Sequence, residues 1–101
     1  VDGTINASIS DGNGGWYIGG KFTEVGDTSI NYLAHILSDG TIDPDFEPNP
    51  NDYVYALEIY GDYLYVGGSF STIGGESLNE FARINRNTGL VDVNNLSSVY
   101  V

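Results

Sequence analysis

Apolar and polar residues alternate along this chain in short runs, and Gly, Asn, Asp, Ser and Pro interrupt them before any helical spacing can build up. Alternation with a period of two sends successive side chains to opposite faces of a strand, so the pattern predicts strands and turns only. In the first half it places strands over residues 5–9, 15–19, 33–37 and 41–43. In the second half it places them over 54–59, 63–67, 81–85 and 90–92. Tyr60-Gly61-Asp62, Ser38-Asp39-Gly40 and Asn87-Thr88-Gly89 read as tight turns, because Gly takes a positive φ at no steric cost and Asp and Asn tolerate turn geometry. A longer loop, 72–79, joins the second and third strands of the later half.

The two halves share one text. Tyr17-Ile18-Gly19-Gly20-Lys21-Phe22-Thr23-Glu24-Val25-Gly26 returns as Tyr65-Val66-Gly67-Gly68-Ser69-Phe70-Ser71-Thr72-Ile73-Gly74, a period of nearly fifty residues. Units of that length cannot bury their apolar surface alone and stack on neighbours as solenoids, propellers or arrays. Between the halves runs Pro44-Asp45-Phe46-Glu47-Pro48-Asn49-Pro50-Asn51-Asp52, whose prolines make a stiff, extended link. The expected fold is therefore all-β: two four-stranded antiparallel blades of a β-propeller or blade-like array. Val99-Tyr100-Val101 matches Val54-Tyr55-Ala56 and reads as the first strand of a further blade. The expected divisions are 1–52 for the first blade and link, 53–96 for the second, and 97–101 for the start of a third. A chain opening in mid-pattern reads as an excerpt of a longer polypeptide.

Charge narrows the partners. Fourteen acidic residues face three basic ones, Lys21, Arg83 and Arg86, for a net charge of -11. Too few cations are present to neutralise a phosphate backbone, which argues against nucleic acid and anionic membrane surfaces. Without cysteine there is neither a disulfide framework nor thiolate chemistry. No apolar run approaches the roughly 18 residues of a membrane span.

The order Tyr-[Ile/Val]-Gly-Gly-x-Phe-[Thr/Ser]-x-[Val/Ile]-Gly, then Leu33-Ala34-His35-Ile36 or Phe81-Ala82-Arg83-Ile84, then Asp39-Gly40-Thr41-Ile42-Asp43-Pro44-Asp45-Phe46, resembles the bacterial delta-sixty repeat. The Gly-Gly doublet is more distantly similar to kelch blades. His35 stands where the delta-sixty pattern tends to have Arg, and the second tail, Val91-Asp92-Val93-Asn94-Asn95, lacks its Phe. The resemblance implies a propeller repeat from a large bacterial surface or secreted protein. It implies no activity, since propellers host enzymes, lectins and scaffolds alike.

Candidate chemistry is sparse. Asp43, Asp45, Glu47, Asn49 and Asn51 fall on alternate residues, so an extended backbone would set their oxygens on one side, where Ca²⁺ could be held. The alternative is a solvated acidic linker, and the pattern demands no cofactor. Among the aromatics, Tyr17 with Tyr65, Phe22 with Phe70 and Tyr55 with Tyr100 recur and read as packing. Trp16, Tyr32, Tyr53, Tyr60 and Tyr63 do not recur, and blade-specific rings of this kind suit a glycan or protein ligand. His35 is the sole histidine and has no second ligand or nucleophile at a recognisable spacing. No Gly-x-Ser-x-Gly elbow occurs. The expectation is a non-enzymatic scaffold or adhesion segment, outside the cell, whose partners are neighbouring blades or further copies of itself. Carbohydrate binding and a propeller hydrolase fragment are the alternatives.

Overall fold

A computed structural model describes residues 3–26 and 28–92 of the chain, and every regular element among them is a β-strand. The first half holds β1 (Ile5–Ser10), β2 (Trp16–Gly20), β3 (Glu24–Val25), β4 (Thr28–Ser29) and β5 (Leu33–Ile36). The second half repeats the series as β6 (Val54–Tyr60), β7 (Tyr63–Gly68), β8 (Thr72–Ile73), β9 (Glu76–Ser77) and β10 (Phe81–Asn85). Each half is an antiparallel sheet, β1-β2-β5 in one and β6-β7-β10 in the other. Both first strands shift register at the same place, between Ile5 and Ala7 and between Val54 and Ala56. The repeat in sequence is a repeat in backbone, bulge included.

The structure corrects the expected strand count. The fourth segment of each sheet is a single bridge, Ile36 to Ile42 and Ile84 to Val91, so each blade has three full strands and a short fourth edge. In the first blade only two backbone bonds close that edge, Leu37 N to Thr41 O at 2.8 Å and Asp43 N to His35 O at 2.9 Å. Pro44 then follows, and without an N–H it cannot continue the ladder. The loop expected over 72–79 is itself a small hairpin, β8 with β9. Gly74 and Gly75 sit at its tip with φ of 60° and 80°, the pairing that a primed two-residue turn requires. The predicted start of a third blade, 97–101, lies outside the described residues.

Alternation gives each sheet two distinct faces. Trp16 and Ile18 share the leading face of the first blade, as Leu64 and Val66 share that of the second; Tyr17 and Gly19, or Tyr65 and Gly67, share the trailing face. The leading face of the second blade packs on the trailing face of the first. Tyr17, Leu33, Val54, Leu64, Val66, Ala82 and Ile84 form one buried cluster across that junction, together with Phe46 from the link. Burial of this apolar surface, worth roughly 25 cal/mol per Å², is what joins the blades. A smaller cluster of Ile18, Phe22, Val25, Ile30 and Ala34 lies on the leading face of the first blade, beneath the β3–β4 hairpin.

Candidate functional site

The densest polar cluster is built on the first blade by the β1–β2 hairpin tip. Asp11 is buried there, and its Oδ1 accepts from the backbone N–H groups of Asn13 at 2.7 Å and Gly15 at 2.9 Å. Its Oδ2 is left for His35 Nε2 at 2.8 Å, while His35 Nδ1 meets Asp43 Oδ2 at 2.9 Å. Only an imidazolium donates from both ring nitrogens to two carboxylates. The ring stacks on Tyr17, with centroids 4.2 Å apart and planes 15° from parallel, and meets Phe46 edge-on at 5.9 Å. A side chain at position 15 would strike Ile36 O at 2.3 Å and Asp11 Oδ2 at 2.6 Å, so Gly15 is needed for the loop to close. Burial resists ionisation of Asp11, but the His35 bond and the two backbone donors outweigh it and hold the carboxyl below its ordinary value.

Arg86 ties this cluster to the second blade. Its guanidinium donates to Asp11 O and Gly61 O, at the tips of the two hairpins, and lies over the Tyr17 ring at 5.7 Å. Within the second blade the slot of His35 is filled by Arg83, which pairs with Asp92 at 2.6 Å and covers the Tyr63 ring at 4.2 Å. A hydrogen bond from Tyr65 leads the influences that raise the Arg83 pKa, with burial opposing and Asp92 adding to the rise. The third strand thus carries a cation in each blade, and each pairs with the Asp of the fourth edge.

The five aromatics singled out above do not form one surface. Trp16 and Tyr60, 50% and 76% exposed, stand beside the hairpin tips, and Tyr63 lies beneath Arg83. Tyr32 and Tyr53 sit at the opposite end of the sheets, in edge contact at 5.5 Å, with Tyr55 at 6.5 Å and Lys21 over the Tyr53 ring at 5.3 Å. The acidic link does not run extended. Asp43 Oδ1 accepts from Asp45 N at 2.9 Å across a turn, its other oxygen is held by His35, and Asn49 takes a φ of 45°. Asp45 and Glu47 are therefore not aligned with Asp43, and no group of three or more His, Cys, Asp or Glu among the described residues is placed to hold a metal ion. Asn51 Oδ1 instead accepts from Ser71 N and Thr72 N, fastening the link to the second blade.

Asp11 and Arg86 were not legible as site residues. The one available signal for Asp11 is its hairpin, which is one residue longer than the turn between Tyr60 and Tyr63.

A family model described as a domain of unknown function (DUF5122) beta-propeller matches residues 11–46 and 64–93, one stretch in each half. The chain belongs to this propeller family. The first DUF5122 stretch begins at Asp11 and ends at Phe46, so it contains the whole His35 cluster; the second contains Arg83 and Asp92. No curated protein and no solved structure matches the chain. No helix among the described residues is long and apolar enough to cross a membrane.

Proposed function

We propose that these blades serve as a non-enzymatic segment of a bacterial surface or secreted propeller of the delta-sixty type, a scaffold that presents an interaction surface. One observation carries the reading: the polar slot on the third strand recurs with its chemistry changed. His35 with Asp43 in one blade and Arg83 with Asp92 in the other both fasten the third strand to the fourth edge. A fastening tolerates either cation, whereas proton transfer near neutral pH needs the imidazole and is beyond a guanidinium.

The test is His35→Arg, which gives the first blade the cation of the second. The variant is expected to unfold within about 1 kcal/mol of the parent, whereas His35→Ala, which strands a buried Asp11, loses on the order of 1–3 kcal/mol. A hydrolytic activity of the parent chain, abolished in a stably folded His35→Arg variant, would overturn the proposal.

A glycan-binding reading draws on the Tyr32, Tyr53 and Tyr55 rings with Lys21, an exposed aromatic edge of the kind that sugars stack on. Soluble oligosaccharides that perturb the NMR signals of these tyrosines, and lose the effect in Tyr53→Ala, support it. Unmoved signals across a broad glycan set dispose of it.

A further inference from the structure

We propose that the two outer faces of this blade pair are complementary and that one copy of the chain docks head to tail on a second copy. The internal junction supplies the template. Val54, fully buried, fills the space over Gly19, and Leu33 beside it is fully buried too. On the outer trailing face the equivalent residues are open. Gly67 has only Ala56 Cβ at 3.6 Å and Glu80 O at 3.9 Å near the place of a side chain, and Phe81, in the place of Leu33, is 38% exposed. Tyr65, Gly67 and Phe81 there line an apolar cleft of about 200 Å³.

The outer leading face shows the matching protrusion. Ile5, in the register position of Val54, is 45% exposed, and Trp16, in the position of fully buried Leu64, is 50% exposed. The link lies on the second blade with Pro48 O accepting from Gly74 N and Asp45 O near Gly89, whereas the equivalent Gly26 and Gly40 have nothing within 4 Å. One sheet pair therefore carries both halves of a junction that it makes once internally. The geometry sets Ile5 of one copy over Gly67 of the next, with Trp16 covered at the new interface. Such a heterologous contact repeats until a ring closes or a filament extends. The net charge of -11 opposes it, so added salt strengthens it.

This inference rests on the blade reading of the two halves, and the experiment separates the two. Sedimentation equilibrium of the parent chain over a concentration and salt series is expected to show masses above the 10.9 kDa monomer, rising with salt, with a blue shift of Trp16 fluorescence. Gly67→Val fills the cleft without disturbing its own blade, and Ile5→Asp charges the protrusion. Each alone is expected to weaken association about tenfold or more. Mixed in equal amounts they should form a dimer and stop there, because one intact junction remains between them. A parent chain that stays monomeric at every concentration and salt, a Gly67→Val variant that associates undiminished, or a mixture that stays monomeric each overturns the docking. Gly19→Ala reports on the blade reading by itself: if it unfolds as easily as the parent, the internal junction is wrong, whatever the mass.

Discussion

Val54 occupies the space that a side chain at Gly19 would need: a Cβ built on Gly19 falls 2.4 Å from Val54 Cγ1 and 3.6 Å from Leu57 Cδ1. The contact crosses from one blade to the other, and the bulge beside Val54 aims β6 at it. Gly19→Ala must push the blades apart or twist Val54 from its rotamer, and is expected to cost about 1–3 kcal/mol. Its repeat partner gives the control. Gly67→Ala meets ordinary van der Waals distances and is expected to leave stability of the monomer unchanged or slightly raised. Urea unfolding of both variants checks the pair, and equal losses would contradict the account.

Phe46 belongs to the link by sequence and to the core by position. It is 2% exposed and lies 5.3 Å from the Tyr17 ring, beneath the His35 stack. Phe46→Ala is expected to cost roughly 3–5 kcal/mol, as for a central core residue. A loss below about 1 kcal/mol in chemical denaturation would mean that the link does not hold the junction.

Acid should act through Asp11. Its carboxyl titrates below the ordinary value of 3.8 in the folded chain, so the unfolded chain takes up a proton first as pH falls. The stability it contributes is fully present above 3.8 and is lost as pH drops through the lower folded value. Unfolding free energy measured from neutral to strongly acid pH is expected to fall on that limb, and Asp11→Asn should flatten the fall. An unchanged acid limb in the variant would show that the carboxylate carries no such role.

Arg86 holds two hairpin tips together through Asp11 O and Gly61 O. Arg86→Ala is expected to cost about 1–2 kcal/mol and to speed amide hydrogen exchange at both tips. Lysine should restore little, because a point charge cannot serve both carbonyls and the face of Tyr17 as a planar guanidinium does. Faster exchange at one tip only would argue that the blades are joined elsewhere.

Most of the architecture was readable because repetition and a two-residue period speak at once. β10 was placed over its observed residues, and β6 and β7 were each extended by only one residue in the structure. The β8–β9 hairpin was read as loop, since two-residue strands are too short to show alternation. The fourth strands were overread because Ile42 and Val91 look like strand centres, although each makes only a single bridge. The site was less legible. His35 and Asp11 are separated by 24 positions and meet only because β5 lies beside β2, on the far side from β1. The alternating carboxylates misled in the other direction, since Pro44 and the Asp43 side chain turn the backbone before an extended face can form.

The claim on which the rest stands is that the halves are equivalent blades, the second laid face-on against the first. Nuclear Overhauser contacts between the Val54 methyls and the Gly19 α-protons measure it most directly. The structure predicts a strong cross-peak, alongside those of the Val54–Gly68 pairing within β6–β7. Intact strand-pairing peaks in both sheets with no Val54–Gly19 contact would show two blades that do not stack, and would contradict the account.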